Sequence, residues 1–310
     1  MKILVTGGAG FIGSHLVDAY IAAGHDVTVV DDLSSGVRDQ VNPKARFVQM
    51  DIRDKALEEV FRQEKFDVVN HHAAQMDVRR SVADPAFDAS VNILGGLNVF
   101  ENARAAGVRK VIFASTGGAI YGEQEQFPAA EDHPTRPLSP YGITKLTSEK
   151  YLFYYREVFG MNSVVLRYAN VYGPRQNPHG EAGVVAIFSS KMLAGQQPII
   201  NGDGGQTRDY TYVGDVAKAN LRALEVEGSN VFNVGTEIET DVNTLFRALK
   251  EILSPSCREE HAPAKAGEQR RSVISFRRIQ RELGWKPEVS LQKGLEATTE
   301  YFKANFKSSL

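Results

Sequence analysis

Short β-rich runs alternate with stretches of helical spacing through the first half of the chain. "KILVT" suits a buried strand, and "FIGSHLVDAYIAAG" then spaces its apolar residues as a helix that ends at a glycine. "DVTVVDD" and "ARFVQMD" are the next strands, "ALEEVFRQEK" a helix and "FDVVNHHA" a fourth strand. A long helical pattern from Pro85 to Ala106 leads into "KVIFAS". Ser139-Pro140 supplies an N-cap and a first-turn proline for the helix carrying "YGITKLTSEKYLFYYREVF", and "SVVLRYANVYG" follows as a strand. Such alternation predicts parallel βαβ units in an α/β fold with a doubly wound sheet, whose ligands sit at the carboxyl ends of the strands.

After Tyr172 the pattern changes. "GPRQNPHGEAG" and "NGDGGQTRD" are loops dense in Gly, Pro, Asn and Asp, with one helix between them. "YTYVGDVAKANLRALE" and "NVFNVG" again suit strand, helix and strand, and the remainder is mainly helical. The expected layout is a nucleotide-binding unit over residues 1–171, with 209–235 returning to it. A smaller C-terminal lobe, mainly 172–310, faces it across a cleft lined by the glycine-rich loops.

Composition narrows the setting. The 310 residues are 42% apolar and 24% charged, ordinary for a globular protein, and a net charge of −2 gives no broad attraction to nucleic acid or acidic membrane. Cys257 is the single cysteine, which excludes an internal disulfide or a cysteine zinc cluster and fits a reducing compartment. The N-terminus is too poor in apolar residues for a signal-peptide core, and no apolar run approaches a membrane span. The expectation is a cytoplasmic protein.

Candidate chemistry begins at "TGGAGFIG", where Gly7, Gly10 and Gly13 lie between the first strand and first helix. Glycine permits the tight turn and a close backbone approach to a pyrophosphate, and the helix N-terminus adds positive potential. The spacing differs from the GxGxxG fingerprint and also suits a purely structural βα turn. Asp31, ending the second strand, sits where a carboxylate accepts hydrogen bonds from an adenosine ribose, favouring NAD over NADP; Asp32 is an alternative. Asp51 is placed to reach the adenine edge, or is a solvated strand end.

"SPYGITK" puts Tyr141 and Lys145 four residues apart on one helix face. A cation within about 4–6 Å moves an acid's pKa by about 1–3 units, so an ammonium and a positive nicotinamide would draw the phenol toward neutrality. Such a phenol can take a proton from a substrate hydroxyl as hydride leaves the same carbon, although the pair taken alone also suits the surface of an amphipathic helix. Ser115 and Thr116 follow the strand "KVIF", where a hydroxyl can hold the reacting oxygen.

The chain resembles the extended short-chain dehydrogenase/reductases, most closely the UDP-glucose 4-epimerases, along nearly its whole length. The resemblance rests on "TGGAGFIGSH", "HHAAQMDVRRS", "VNILGGLNVFENA", "FASTGGAIYG", "SPYGITK", "LRYANVYGPRQNPHGEAGVVAIF" and "NGDGGQTRDYTYVGDVA". It implies a Rossmann-like fold and NAD held by Gly7, Gly10, Phe11, Ile12, Gly13, Asp31, Asp32, Asp51, Ile52, Ala73, Ala74, Gln75, Asn92, Tyr168, Tyr141 and Lys145. It makes Tyr141 the acid and base, Lys145 its partner and a ribose ligand, and Thr116 the sugar-binding hydroxyl, with Ser115 the alternative. Asn170 matches a diphosphate or sugar contact and Arg208 a diphosphate clamp, with Asp209 and Tyr210 in the same loop. Lys265 stands where the family has a late arginine, and Arg270 is a possible substitute. Ser272 matches a position where a bulky residue restricts the sugar pocket in some epimerases, so UDP-N-acetylglucosamine stays open beside UDP-glucose.

The implied reaction is interconversion of UDP-glucose and UDP-galactose through a 4-keto intermediate, by a homodimer contacting through the helices Pro85–Ala106 and Tyr141–Phe159. A UDP-glucuronate 4-epimerase or a decarboxylase is an alternative. Dehydration is disfavoured because Gly117 and Gly118 stand where related dehydratases carry Asp and Glu. The Thr116, Tyr141 and Lys145 set weighs against a non-catalytic NAD-binding regulator.

Overall fold

The computed structural model describes residues 1–178, 183–253, 256–264 and 269–305. Along the chain run β1 (Lys2–Thr6), α1 (Phe11–Ala22), β2 (Asp26–Asp31), β3 (Arg46–Gln49), α2 (Leu57–Gln63), β4 (Val68–His71), α3 (Val78–Ala83) and α4 (Pro85–Ala89). A π-helical turn (Ser90–Gly95) joins α4 to α5 (Gly96–Ala105), followed by β5 (Lys110–Thr116), α6 (Pro140–Phe159), β6 (Asn162–Tyr168) and β7 (Asn170–Tyr172). Then come α7 (Val184–Leu193), β8 (Ile200–Asn201), β9 (Thr207–Tyr212), α8 (Val213–Ala223), β10 (Asn230–Val234) and β11 (Glu239–Asp241). The last elements are α9 (Val242–Leu253), β12 (His261–Ala262), β13 (Arg271–Ser272), α10 (Arg277–Leu283) and α11 (Leu291–Asn305).

Seven parallel strands form one sheet in the order β10-β6-β5-β4-β1-β2-β3. Their aliphatic runs are buried on both faces, as parallel strands covered by helices require. Alternation sends Ile3 and Val5 to the face packed by Leu16, Tyr20 and Val216, while Leu4 joins Val99, Phe100, Leu152 and Tyr155 on the other. The strand order reverses between β1 and β4, which opens a crevice at their carboxyl ends.

The run read as one strand, "SVVLRYANVYG", is two. β6 ends at Tyr168, the Ala169 N–H donates to Val234 O at 3.0 Å, and β7 pairs with β9 in a second, four-stranded sheet of β7, β9, β11 and β13. Tyr172, Phe188, Leu245, Phe246 and Leu295 form a separate apolar cluster under that sheet. The pattern from Pro85 to Ala106 is helical throughout but contains the π turn. An extra backbone residue within a helix leaves little trace in apolar spacing.

Two capping devices place α6. Ser139 Oγ accepts from Gly142 N at 3.2 Å, Pro140 occupies the first turn, and Gly160 closes the helix at φ 70°. Below its first turns lies a buried ion pair. Arg167 donates to Glu149 through Nε at 3.0 Å and Nη2 at 2.7 Å, with only 7% and 6% of the two side chains exposed. Arg167 also donates to Tyr121 Oη, and Ser115 Oγ donates to Glu149 Oε1 at 2.6 Å. Arg167→Met would strand the carboxylate, and loss of one partner of a buried pair costs about 3–5 kcal/mol. Chemical denaturation should show that loss; an unchanged midpoint would mean the pair contributes nothing to stability.

Candidate functional site

The loops after β1 and β4 meet at the crevice. Gly7 has φ +71°, and a Cβ there would lie 2.6 Å from Ala73 N; a Cβ on Gly13 would collide with the Gly7 carbonyl. Gly10 is the N-cap of α1, with no side-chain cap and no acidic residue in the first turn. These features fit a pyrophosphate at the helix N-terminus, which would take up the N–H groups that the cap leaves without side-chain partners. Phe11 begins the helix and Ile12 packs on the core beneath it.

Asp31 is buried at the end of β2, its carboxylate accepting from Ala9 N at 3.0 Å and Leu33 N at 2.8 Å. Burial pushes its pKa up against these two hydrogen bonds. A carboxylate with two such bonds retains lone pairs for ribose hydroxyls. Asp32 turns outward and accepts from Ser34 N and Oγ, closing its own turn. Asp51 is gripped by the Arg53 guanidinium, which holds its carboxyl below the usual range, and Ile52 is buried in the core beside it.

Gln75 and Asn92 lock together: Asn92 Oδ1 accepts from Gln75 N at 2.9 Å, and its Nδ2 donates to Gln75 O at 2.9 Å. The π turn carries Asn92 into this position. Ala73 N donates to Thr6 Oγ1 at 3.2 Å, and Ala74 continues the loop half-buried toward Gln75. Tyr168, at the end of β6, lies stacked on His72 with centroids 5.8 Å apart and shares hydrogen bonds with His72 Nε2 and Asn220 Nδ2. His72 Nδ1 is buried without a partner among the described residues.

Lys145 is buried, donates from Nζ to Ala114 O at 2.9 Å, and lies 4.9 Å from the Phe113 ring centroid and 5.9 Å from that of Tyr141. Burial pulls its ammonium down to about 8, against the fields of Asp88 and Glu149. The Tyr141 phenol is raised, first by burial and then by Asp88, with a hydrogen bond to Thr116 opposing both. The expectation that the lysine lowers the phenol is therefore not met in the protein alone. The dry surroundings outweigh an ammonium whose proton is directed at a backbone carbonyl.

Adjacent strand residues point to opposite faces, and this separates the two hydroxyls. Ser115 is committed to buried Glu149, whereas Thr116 meets Tyr141. A Cβ on Gly118 would lie 3.5 Å from Asn170 Oδ1 and 3.9 Å from Thr116 Oγ1, so Tyr141, Thr116 and Asn170 converge on one spot.

On the second sheet Arg208 is in register with Ser272, and Asn170 with Tyr210. Arg208 Nη1 donates to Thr207 O at 2.8 Å, and Ser272 is buried. Asp209 accepts from Thr236 N and Oγ1, burial raising its pKa to about 6. Arg270 is drawn away from this group by a bidentate pair with exposed Asp203, at 2.8 and 2.9 Å. Lys265 lies outside the described residues.

Sequence reasoning passed over Asp88, Thr144, Glu149 and His72. Glu149 follows Lys145 by four residues and Asp88 precedes Asn92 by four, so helical spacing carried a signal for both. Among the described residues no cluster of three or more His, Cys, Asp or Glu side chains could hold a metal ion, and no helix is long and apolar enough to cross a membrane.

The chain is similar along nearly its whole length to known proteins. The UDP-glucose 4-epimerase of Mycolicibacterium smegmatis is 46% identical, covering 98% of this chain and 99% of that one. The UDP-glucose 4-epimerase of Thermotoga maritima, solved with UDP-glucose, superposes with a TM-score of 0.96 at 49% identity, over 98% of this chain and 99% of that one. The Thermus thermophilus enzyme of the same name, in complex with NAD, gives 0.94 at 45% identity, over 99% and 100%. The profile of the NAD dependent epimerase/dehydratase family matches residues 3–235, and with the glycine turn, the Tyr141–Lys145 helix and the β1/β4 crevice all inside that span, the chain belongs to this family.

Proposed function

We propose that the chain is an NAD-dependent UDP-glucose 4-epimerase, interconverting UDP-glucose and UDP-galactose. The observation that carries this reading is the convergence of Tyr141, Thr116 and Asn170 beside buried Lys145, at the sheet end next to the glycine turn. Similarity to enzymes solved with UDP-glucose and with NAD supports it.

The turn at Gly7–Gly13, Asp31 and the loop Ala73–Gln75 would hold the cofactor. When bound, NAD would supply a hydride acceptor for C4 of the hexose and then a hydride donor to the resulting ketone. Tyr141 takes the O4 proton as the C4 hydrogen departs and returns it to the ketone oxygen afterwards, so proton and electron pair balance without an external reductant. Thr116 holds O4 by the same hydroxyl that meets the phenol. Arg208 holds the diphosphate, where a guanidinium fork suits phosphate oxygens, and Asn170 contacts the sugar or the diphosphate beside it. The sugar itself stays loosely held, because the ketone must present its opposite face.

Residues 1–171 with much of 209–235 serve in this reading as the NAD lobe, and the rest of 172–310 as the nucleotide-sugar lobe. The single Cys257 supports a cytoplasmic setting. Exposed apolar residues support a homodimer. Leu94 on the π turn is 63% exposed, and Phe153 and Val158 on neighbouring α6 are 60% and 57% exposed. A partner subunit covering them removes a patch that water disfavours.

Purified protein should interconvert UDP-glucose and UDP-galactose with no added reductant; turnover of UDP-N-acetylglucosamine alone would reassign the substrate. Tyr141→Phe should lower kcat by about 10²–10⁴-fold while denatured protein still releases NAD, and a wild-type rate would remove Tyr141 from the proton step. Lys145 acts as a cation, and a lysine loses charge as pH rises through its pKa. Turnover should therefore fall as pH rises through about 8, and a flat alkaline profile would contradict that role. Leu94→Asp combined with Phe153→Asp should turn a dimer into a monomer in sedimentation; a monomeric wild-type chain would rule out the contact.

A further inference from the structure

Asp88, on α4, is fully buried and has no part in the mechanism above. Its Oδ1 accepts from Gln75 Nε2 at 2.9 Å and Asn92 Nδ2 at 3.1 Å, and its Oδ2 accepts from Thr144 Oγ1 at 2.9 Å. All three donors are neutral. A carboxylate buried among neutral donors is a demanding choice where an amide would fit the same partners, so the charge itself calls for a reason.

The partners supply one. Gln75 lies in the loop after β4 beside the glycine turn, Asn92 in the π turn, and Thr144 next to Lys145 on α6. Lys145 is faced by Asp88 from α4, by Glu149 and Tyr141 from its own helix, by His71 at the end of β4 and by His72 in the loop that follows it. Both histidines are held neutral by burial and by the lysine's own charge. From β5 come only the Phe113 ring and the Ala114 carbonyl. Glu149 already carries a bidentate pair with Arg167, which cancels much of its field. Among the described residues Asp88 has no such guanidinium, and its influence on Lys145 exceeds that of Glu149.

We propose that Asp88 is a positioning residue of the reaction: one buried carboxylate pins the cofactor-side loop, the π turn and the start of α6 to a common point, and its charge keeps the Lys145 ammonium protonated. The inference rests on the assignment of Tyr141 and Lys145 to the proton step.

Asp88→Asn separates frame from charge. The amide oxygen still serves Gln75 and Asn92, and the NH₂ group faces Thr144, whose hydroxyl can accept from it while donating to Tyr141 O, already 3.0 Å away. Thr144→Val does the reverse, cutting one tie and keeping the charge. In the NAD-loaded enzyme, Asp88→Asn should lower kcat about tenfold or more with KM changed less than about twofold. Its alkaline limb should move about one pH unit lower. Thr144→Val should lower kcat without moving that limb. An unmoved limb in Asp88→Asn overturns the charge role, and an unchanged kcat in Thr144→Val overturns the pinning.

A second measurement needs neither substrate nor cofactor. Asp88→Asn and Lys145→Met are compared singly and together by chemical denaturation at neutral pH. The loss of midpoint caused by Asp88→Asn should shrink or reverse once Lys145 is Met, because the carboxylate then lacks its cation. Equal losses in both backgrounds overturn the coupling. Absence of epimerase turnover in the wild-type chain would instead refute the proposed function, and the denaturation cycle would still decide on Asp88.

Discussion

Holding an ammonium out of water at the carboxyl end of a parallel sheet constrains everything around Lys145. In the interior a cation keeps its proton only if oxygen atoms and negative charge replace the lost hydration. Ala114 O supplies the direct contact, two carboxylates supply the field, and the neighbouring histidines stay neutral. His71, held down to about 3, settles its ring instead by a 2.7 Å hydrogen bond between Nδ1 and Thr6 Oγ1. In this way the electrostatics of one side chain on α6 reach β4, β5 and, through Thr6, the strand that starts the glycine turn.

The same constraint explains why so many polar groups are buried beside the site. Glu149, Arg167, Ser115 and Tyr121 form one interior network, and Asp88, Asn92, Gln75 and Thr144 form another, on either side of the first turns of α6. A purely stable core would replace both with aliphatic side chains. Their satisfied hydrogen bonds instead fix the side chains packed around the start of α6, where Tyr141 meets Thr116.

Local signals made much of this readable from the sequence. The strands of the large sheet, the glycine turn and α6 are written in short-range features: aliphatic runs, Ser139-Pro140, and Tyr141 and Lys145 one turn apart. Tertiary features were not readable in that way. β8, β11, β12 and β13 are two or three residues long, below any periodicity. The break at Ala169 leaves the apolar pattern intact because both halves remain strands. Choosing between Ser115 and Thr116 required knowing that Glu149, two turns along α6 from Tyr141, takes the Ser115 hydroxyl. The effect of Lys145 on Tyr141 required the direction of its Nζ, which spacing alone does not give. The pairing of Arg270 with Asp203, 67 residues away, is likewise a tertiary feature that no local pattern announces.

The passage from β6 to β7 through Ala169 has a mechanical consequence. Tyr168 belongs to the sheet end that faces His72, and Asn170 to the sheet that carries Arg208, yet their Cα atoms are only two peptide units apart. Ala169, also tied to Val234, is the single residue between the two strands, so the backbone keeps these positions close together where the two sheets meet. In the proposed reaction a single residue of backbone therefore links the nicotinamide side, at Tyr168, to the nucleotide-sugar side, at Asn170.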